Sequence, residues 1–523
     1  MSIIKQHIMG SSSENSKSVM ATAAVVIGST FALYRYYNIR KKRARLGNFP
    51  YSSPSFFPSI DLLLAIRAGA LEKFVQNRKE ALNNDCFYIR MPGMASDTLV
   101  VTDPKDQQEI MRKEGKLNLF VSIGNTLDHT HGPGSMQAIS GRQHNFIRKI
   151  FASLLSPVAI KAFIPHLYDA FTQMWDDLEK QCLADDDRQV VIQDAICEAQ
   201  FYLMSKILYG MTNENTSKDI MMQMREDFEA QLEGHFMPPF SAKYKKAKDA
   251  SQRIHTILRE RFLAVLEERR SLMPGSEEEK KDCEGVDLNI GNAMETVADA
   301  ILKEGKDCDP KTIDDIIDNL DLLLEASHGT TMTVTTNTMY YLSLPENINK
   351  LQELRKEAKS FEEFPTYDNL RNDMPYAQGA IYESMRLAPI ITAVSFAVKD
   401  DTAFTFKNQT MKGPLDFMMS FGNNFIDESY FKNAETFLPE RWVEGSKEHV
   451  SKEAEASFTP FGMGRHICLG YRLAVIVMKS ALFCFAKDER RVIEFDVENT
   501  CKKAGLFPAY SISDGFRGRV VKV

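Results

Sequence analysis

The chain has 523 residues, a formal net charge of −7, and 44% hydrophobic and 26% charged residues, which is the composition of an ordinary globular protein. The acidic balance argues against bulk affinity for nucleic acid. The eight cysteines are scattered and form no C-x-x-C pair, which argues against a zinc site and against the disulfide framework of a small secreted domain. Such cysteine usage is typical of a reducing compartment.

The N-terminal part predicts a membrane anchor. Residues 18–34 carry no charge and are mostly apolar, and residues 35–45 then bring a cluster of Arg and Lys. The apolar run is at the short end of what spans a bilayer, and such a cationic cluster stays on the cytoplasmic side. The pattern therefore predicts a tail and a single anchor over residues 1–48. A cleaved signal peptide is disfavoured because most of the charge follows the apolar run, whereas a transit peptide stays open because Glu14 is the one acid among the first 30 residues.

A linker and a series of helices and strands follow. Three prolines and several serines over residues 49–58 predict a stiff, extended linker. The next predicted segments are a helix over 61–82, strands over 86–91 and 98–102, a run of helices over 158–270 and a charged loop over 276–284. Pro238 and Pro239 break the run of helices.

A basic segment begins at Gly141 and ends before Pro157. His144 and Arg148 are four residues apart within it, so a helix places both side chains on one face. From this segment alone, a solvated basic helix is as good an interpretation as an anion-binding face.

A long helix is predicted over residues 311–344. This stretch contains no proline, and its isoleucines and leucines recur at helical spacing. At 1.5 Å per residue it would span about 50 Å, enough to cross a whole domain. Its middle, residues 324–336, contains Ser, Gly and five threonines, which are poor helix formers. The pattern indicates a functional kink or groove, and the alternative is a threonine-lined packing seam.

Two segments carry a carboxylate and two arginines. Glu383 and Arg386 are three residues apart on a helix that ends before Pro389. Most such pairs are solvated surface bridges, so the pair alone indicates little. Further along, residues 437–442 read Phe-Leu-Pro-Glu-Arg-Trp and contain Arg441.

The stretch with the most specific pattern is residues 458–474, which contains Cys468. Glycines at 462, 464 and 470 surround this cysteine, and an apolar, Ala-rich helix is predicted from Tyr471 onward. The N-terminus of a helix favours a thiolate, and glycines let the backbone approach a flat partner closely. These are the requirements of a thiolate axial ligand to haem iron. A buried apolar cysteine is the simplest alternative, and a phosphate loop is disfavoured because Ile467 stands where a third glycine would be needed.

In their order and spacing, the basic helix, the long helix, Glu-x-x-Arg, Pro-Glu-Arg and the cysteine loop resemble the cytochrome P-450 family of haem-thiolate monooxygenases. The resemblance carried by the cysteine loop rests on Phe461, Gly464, His466, Cys468 and Gly470. It implies a mainly α fold, with a large helical part and a small β-rich lobe, over residues 49–523. Haem b would lie between the long distal helix and the Cys468 loop.

The resemblance also implies roles for individual residues. Cys468 would be the axial ligand of the haem iron, and the other residues implied in haem binding are His144, Arg148, Phe461, Arg465, His466 and Gly470. His144 stands where the family usually has Trp, which weakly resembles the retinoid, brassinosteroid and abscisate hydroxylase clan. Phe396 stands where a propionate-binding Arg is usual, and His466 where Arg is commoner.

On the distal side, Thr330 matches the family threonine that assists proton delivery during oxygen activation. The acid that usually precedes it is missing, because Gly329 stands there. His328, Glu325 or ordered water could carry the proton instead. The resemblance further implies that Glu383, Arg386 and Arg441 form a buried trio that fixes the core around the haem.

The activity implied is insertion of one oxygen atom from dioxygen into an apolar substrate, with isoprenoids and sterols suggested by the clan. Electrons would come from NADPH through NADPH-cytochrome P-450 reductase, with cytochrome b5 as a second donor. The implied form is microsomal, on the cytoplasmic face of the endoplasmic reticulum membrane, with an organelle as the alternative. A basic docking face would comprise Arg148, Lys149, Arg465, Arg472 and Lys479.

Two other functions stay open at this point. A haem-thiolate isomerase or dehydratase needs no dioxygen, and Gly329 in place of the acid favours this reading while Thr330 disfavours it. A non-catalytic haem-binding protein is the second alternative, because a fold does not by itself guarantee activity.

Overall fold

A computed structural model gives the fold. It describes residues 47–52, 60–67, 70–90, 97–117, 119–121, 131–184, 189–212, 214–234, 237, 240–272, 291–303, 309–398, 401–495, 503–504, 511–512 and 516–522. The predicted anchor, the basic cluster after it, most of the linker, the two prolines at 238 and 239 and the charged loop over 276–284 lie outside these ranges.

Helices make up most of the described chain. They are α1 Ile60–Arg67, α2 Leu71–Leu82, α3 Pro104–Arg112, α4 Glu114–Leu117, α5 Gly141–Ala152, α6 Pro157–Ala184, α7 Ile192–Tyr209, α8 Lys218–Gly234, α9 Ala242–Leu272, α10 Ala293–Lys303, α11 Pro310–Ser343, α12 Ile348–Lys359, α13 Tyr367–Asn372, α14 Pro375–Leu387, α15 Gly422–Phe425, α16 Lys452–Ser457 and α17 Tyr471–Lys487. The stretch predicted as one helix over 61–82 thus falls into α1 and α2, while α6 to α9 supply the predicted helical run.

The longest helix, α11, has local signals at both ends. Asp309 caps its N-terminus by accepting a hydrogen bond from the Thr312 amide at 2.9 Å, and Pro310 occupies its first position. A short side chain that caps free amides and a proline that lacks one both suit a helix start. The helix ends at Ser343, two residues before Pro345. The predicted long helix is therefore present with nearly the predicted bounds.

The strands are β1 Cys86–Arg90, β2 Asp97–Val101, β3 Phe120–Val121, β4 Val190–Val191, β5 Ala393–Val398, β6 Ala403–Phe406, β7 Gln409–Lys412, β8 Leu415–Ser420, β9 Arg491–Glu494, β10 Lys503–Ala504, β11 Ser511–Ile512 and β12 Arg517–Lys522. The largest sheet has the order β1-β2-β8-β5-β3, and within it β2 and β8 are parallel while the other pairs are antiparallel. Smaller sheets pair β4, β12 and β9, β6 with β7, and β10 with β11.

The core lies around α11, which packs against α7, α9, α14 and α17. Most of its side chains are buried. A second, smaller apolar cluster lies where α1 and α2 cover the five-stranded sheet, and it includes Leu62, Leu71, Phe87 and Val100. The mainly α fold with a small β-rich lobe, expected from the sequence, is confirmed.

Among the described residues, no single helix is both long and apolar enough to cross a bilayer. One bent pair, residues 141–155 with α6 at 52°, meets the length and composition test together.

Candidate active site

Two left-handed glycines shape the loop that carries Cys468. Gly462 and Gly464 have φ angles of 74° and 71°, a region that residues with side chains disfavour. The Cys468 amide then donates to the Phe461 carbonyl oxygen at 2.8 Å, just before α17 begins at Tyr471. The loop therefore holds the thiol at the N-terminus of a largely buried helix.

The environment of the Cys468 thiol differs from the simple expectation of a thiolate. Cys468 is exposed, but the protein atoms packed around its sulfur raise its pKa above the ordinary value, while the amides of Gly470 and Tyr471 and the charge of Arg148 lower it. The two amides at the start of α17 thus favour the thiolate, in the direction that the sequence predicts, while the protein atoms around the sulfur oppose it. A coordinated metal ion deprotonates a thiol outright, so iron would supply the positive charge that this thiol needs.

Glu114, in α4, contacts the cysteine loop at Arg465 and His466. The sequence analysis did not single out this residue. It is 5% exposed, and its Oε2 accepts a hydrogen bond from the Arg465 amide at 2.7 Å. Its Oε1 lies 3.2 Å from His466 Nε2. Burial raises the pKa of Glu114, and the Arg465 amide and charge oppose this rise. Glu114 and Arg465 are 351 residues apart in sequence, so no local pattern marks the contact.

His466 is a neutral hydrogen-bond donor at neutral pH. Burial, together with the nearby His144 and Arg148, lowers its pKa to about 4. The His144 and His466 rings meet edge to face with centroids 4.6 Å apart, and burial also lowers the pKa of His144. The His466 Nε2 lies near both Glu114 and the Leu119 carbonyl oxygen. The two predicted haem-contact histidines are therefore brought together by the fold.

Arg148 and Arg465 are the cations at this site. Arg148 donates from Nη2 to the Ile467 carbonyl oxygen at 2.7 Å, and its charge reaches the Cys468 thiol. The guanidinium of Arg465 packs over Gly115, where an added Cβ would lie 2.9 Å from Nη2. A sulfur ligand beside cations and an imidazole donor is the set that the iron and the carboxylates of haem b require. The residues present fit this cofactor.

The remaining walls of the loop are apolar or open. The Phe461 ring packs against Tyr471 with centroids 6.1 Å apart. A Cβ added at Gly470 would meet nothing within 4 Å, so the loop opens on this side. Phe396, in β5, is buried and lies 5.7 Å from the His466 ring. This strand therefore contributes an apolar wall where the family usually has a cation.

In the threonine-rich middle of α11, several hydroxyls donate hydrogen bonds to carbonyl oxygens of the same helix. The Oγ1 atoms of Thr330, Thr333, Thr335 and Thr338 donate to carbonyl oxygens four residues earlier, at 2.7 to 2.8 Å. This bonding satisfies these four hydroxyls within their own helix. Thr333, Thr335 and Thr338 are buried, which fits a packing seam, whereas Thr330 is partly exposed.

Although most of α11 is buried, one part of its surface borders open space. Ala326 is exposed, and Thr330 is partly exposed. A Cβ added at Gly329 would meet nothing within 4 Å. Glu325 borders the same face, one helical turn before Gly329, and its side chain is 22% exposed. We call the surface formed by Glu325, Ala326, Gly329 and Thr330 the open strip.

His328 lies on another side of α11, within helix packing. It is 3% exposed, and its Nε2 lies 3.0 Å from the Cys197 carbonyl oxygen in α7. Its ring meets Phe228 edge to face, with centroids 5.0 Å apart. Burial lowers the pKa of His328, so the ring is neutral. This position gives His328 a packing contact, whereas Thr330 and Glu325 border the open strip.

The structure brings together the predicted trio of Glu383, Arg386 and Arg441, each at most 3% exposed. Arg386 donates to both oxygens of Glu383 at 3.0 and 2.8 Å, and Arg441 Nε donates to Oε1 at 3.1 Å. The Leu438 amide and the Trp442 indole also donate to Glu383, at 3.1 and 3.0 Å. Glu383 therefore accepts five hydrogen bonds in a site without water access.

This trio is connected to the cysteine loop through Trp442, whose role the sequence analysis missed. The Trp442 ring packs against Phe458, which begins the loop, with centroids 4.5 Å apart. The segment that contains Pro439 packs closely against α14 at Gly379. A Cβ at Gly379 would lie only 2.5 Å from the Pro439 carbonyl oxygen, so this close approach requires glycine. The family-type aromatic after Pro-Glu-Arg was a signal that could have pointed to this contact.

A second buried ionic cluster surrounds His131. His131 Nδ1 lies 3.1 Å from Asp321 Oδ2, and its Nε2 contacts Glu325. His255 Nε2 and Gln231 Nε2 also reach Asp321 Oδ2, at 2.9 and 2.8 Å. Burial by itself lowers the pKa of His131, but the two flanking carboxylates raise it to about 10. His131 is therefore an imidazolium at neutral pH, held between Asp321 and Glu325.

This cluster predicts a loss of stability at alkaline pH. Because the pKa of His131 is raised in the folded protein, its contribution is full below about pH 6.5 and is lost as the pH rises through about 10. The loss follows a slope of up to about 1.4 kcal/mol per pH unit. We expect thermal unfolding to show that the stability advantage of the native protein over His131→Gln shrinks between pH 7 and pH 10. A constant advantage would contradict the raised pKa.

The predicted docking face needs one correction. Lys479 is 1% exposed, and its Nζ donates to the Leu370 carbonyl oxygen at 2.7 Å. Burial lowers its pKa to about 8. Lys479 therefore cannot belong to a surface patch, because the helical periodicity of α17 turns it inward. Lys149, Arg465 and Arg472 are exposed.

Comparison with known proteins identifies the family. A sequence model described as Cytochrome P450 matches residues 52–486. The chain belongs to the cytochrome P450 family. The enzyme class expected from the sequence, an oxidoreductase of the monooxygenase type, is confirmed by relatives named as hydroxylases and monooxygenases. Haem is the cofactor of this family.

Individual relatives have low sequence identity to this chain, but the matched regions cover most of both proteins. Taxoid 2-alpha-hydroxylase of Taxus canadensis is 22% identical over 437 residues, which cover 80% of this chain and 79% of that protein. 3beta,22alpha-dihydroxysteroid 3-dehydrogenase of Arabidopsis thaliana is 26% identical over 510 residues, which cover 93% and 98%. The structure of a retinoic acid-bound cyanobacterial CYP120A1 matches with a TM-score of 0.71 at 17% identity, over 91% of this chain and 99% of that one. This structural likeness shows the fold.

Proposed function

We propose that this protein inserts one oxygen atom from dioxygen into an apolar, isoprenoid or sterol-like molecule. The observation that carries the proposal is the pairing of two features on packed helices: the Cys468 loop before α17 and the open strip with Thr330 on α11. The printed names of the relatives, a taxoid hydroxylase and a dihydroxysteroid dehydrogenase, support the substrate class.

In this proposal Cys468 ligates the haem iron, while Arg148, Arg465, His144 and His466 orient the haem carboxylates. When bound, haem b supplies dioxygen activation, which electron donation from a thiolate ligand favours. The protein supplies the pocket, the exclusion of water and the path of the proton. The neutral His466 imidazole donates from Nε2 toward Glu114 and the Leu119 carbonyl oxygen, and it positions the loop beside Arg148 and Arg465 without adding charge.

Thr330 is the residue that moves a proton in this mechanism. Its Oγ1 donates to the Ala326 carbonyl oxygen at 2.8 Å, and its oxygen can accept a hydrogen bond from water on the open strip. Gly329 leaves room for such a water beside the hydroxyl, since a Cβ there meets nothing within 4 Å. A water held at Thr330 replaces the acid that the family usually carries at position 329.

We expect Thr330→Ala to uncouple electron flow from product formation. Product per NADPH should fall by roughly tenfold or more, with a matching rise in hydrogen peroxide, because a positioned proton donor contributes at least that much. Thr338→Ala is the matched control, since Thr338 makes the same bond to its own helix but is buried. Unchanged coupling in Thr330→Ala would show that protons arrive by another route.

Electrons would come from NADPH through NADPH-cytochrome P-450 reductase, with cytochrome b5 as a second donor. The exposed cations Lys149, Arg465 and Arg472 near the cysteine loop support docking of an acidic partner on this face. The apolar run over 18–34 and the cations after it support an anchor in the endoplasmic reticulum membrane, with the catalytic part on the cytoplasmic face.

The experiment that tests this function uses the purified, haem-loaded full chain with reductase, NADPH and isotopically labelled dioxygen. We expect one labelled oxygen atom in the product, formed only when NADPH and reductase are both present. Turnover of a hydroperoxide or alcohol without either would instead support an isomerase or dehydratase. Intact thiolate-ligated haem without turnover of any substrate would support a haem-binding protein.

A further inference from the structure

The open strip carries an unusual feature, a carboxylate at its edge. Glu325 projects from the middle of α11 and is 22% exposed, while Leu324 beside it is fully buried. Gly329, one turn later on the same face, adds no side chain that would cover it. A carboxylate that is largely removed from water is costly unless it is paired and hydrogen-bonded. The Glu325 carboxylate therefore needs a hydrogen-bonding or charged partner.

The partner is His131, which reaches α11 from a different segment of the chain. Its Nε2 contacts Glu325 Oε2, and its Nδ1 is tied to Asp321, so the imidazole is fixed at both nitrogens. The neighbouring Gly134 amide donates to Asp318 at 2.8 Å, which holds this segment against α11. His131 thereby fixes Glu325 in place, and the Glu325 side chain as a whole stays 22% exposed.

With its three carboxylates ionised, the cluster carries a net negative charge whatever the protonation of the imidazoles, although burial raises the pKa of Asp318. Three carboxylates, of Asp318, Asp321 and Glu325, face two imidazoles, of His131 and His255. Even with both imidazoles protonated, one negative charge is left over. An anionic group that approached this edge of the strip would be repelled, whereas a hydrogen-bond donor would be attracted.

We propose that Glu325, held by His131, accepts a hydrogen bond from a hydroxyl group of the substrate. This inference rests on the proposed function and narrows its substrate class to neutral, hydroxylated apolar molecules, in preference to the corresponding carboxylic acids. A carboxylate accepts hydrogen bonds and donates none, so it matches an alcohol and opposes an acid anion. A charge-assisted bond of this kind changes affinity by a factor on the order of ten to a hundred.

Helix geometry adds a length requirement. Glu325 and Thr330 are five residues apart, which corresponds to about 7.5 Å along the axis of α11. The Glu325 side chain leans toward the N-terminus of the helix and so away from Thr330. A substrate hydroxyl bound by Glu325 would therefore lie about 7.5 Å or more from the level of Thr330 along the helix axis. This separation also argues against direct proton transfer from Glu325 to Thr330.

The test compares matched alcohol and acid pairs that share one skeleton: retinol with retinoic acid, a diterpene alcohol with its acid, and a sterol with a sterol-derived acid. Dissociation constants are measured on the haem-loaded full chain, without any electron donor, by the absorbance change of the haem and by equilibrium dialysis. We expect the alcohol to bind at least about tenfold more tightly than the acid for the best-fitting skeleton.

The substitution Glu325→Gln keeps the size of the side chain and removes its charge. We expect it to narrow the alcohol-to-acid ratio by about tenfold, through weaker alcohol and tighter acid binding. Glu346→Gln, on an exposed turn, is the matched control and should leave the ratio unchanged. Unchanged ratios in Glu325→Gln, equal affinities in the native protein, or no binding by any alcohol would each overturn the inference.

Two further readouts keep this inference separate from the proposed function. Imidazole coordination and the reduced carbon monoxide spectrum report on the haem-thiolate centre alone. If both are normal while alcohols and acids bind equally, the inference fails and the monooxygenase assignment stands. If the thiolate spectrum is absent from the native protein, the proposed function fails. Peroxide release by Glu325→Gln with unchanged affinities would assign Glu325 to proton delivery instead and overturn the inference.

Discussion

Replacing Cys468 with alanine is expected to abolish the thiolate-ligated haem. The thiol is the sulfur donor held by the glycine loop at the start of α17, and the amides of Gly470 and Tyr471 face it. Without sulfur the iron loses the ligand that gives the reduced carbon monoxide complex its thiolate signature. The measurement is the carbon monoxide difference spectrum of the purified variant, in which we expect the thiolate band to be absent.

The control for this variant is Cys182→Ala, which removes a buried thiol from α6, outside the loop. It should keep the thiolate band, although its stability will fall somewhat. Circular dichroism of Cys468→Ala shows whether the helical fold survives the change, so that loss of haem is separated from unfolding. A thiolate band that persists in a folded Cys468→Ala would refute the assignment of the ligand.

The second large effect is expected from Glu383→Ala. This change leaves the buried guanidinium groups of Arg386 and Arg441 without their carboxylate, and it also removes the acceptor of the Trp442 indole. Stranding buried charges in this way costs roughly 3–5 kcal/mol of the free energy of unfolding. Because Trp442 packs against Phe458 at the start of the cysteine loop, haem retention should fall as well.

Denaturant unfolding of the haem-loaded protein measures this loss, with Glu353→Ala as the control. Glu353 pairs with Lys356 on the surface of α12, where both side chains are about half exposed or more. An exposed pair of this kind contributes less than about 1 kcal/mol. If Glu383→Ala destabilised the protein no more than Glu353→Ala does, the buried trio would not stabilise the core as argued.

The sequence and the structure agree best where function depends on local spacing. The glycines around Cys468, the Glu383 and Arg386 pair and the position of Thr330 could all be found from patterns within a few residues. Turn geometry and helical periodicity depend on residues close together in the sequence, so these local structures can be predicted without knowing the tertiary fold. The long helix and its caps were predictable for the same reason.

The sequence was less informative about the direction in which a side chain points. His328 and Glu325 were equal candidates for proton delivery from the sequence. The structure turns His328 into the packing against Cys197 and Phe228, and it leaves Glu325 at the open strip. Lys479 was assigned to a surface patch and is buried instead. Helical spacing gives relative faces, but only packing decides which face meets the core.

The sequence by itself determined the family-type site: a cysteine in a glycine loop before a helix, a long helix with Thr330, and a carboxylate with two arginines. Only the tertiary structure decided what surrounds that site. Glu114 meets the Arg465 amide across 351 residues, and His131 pairs with Glu325 from a separate segment. Such contacts join segments that are far apart in the sequence and share no periodic pattern, so they arise only from packing and charge pairing in the folded chain.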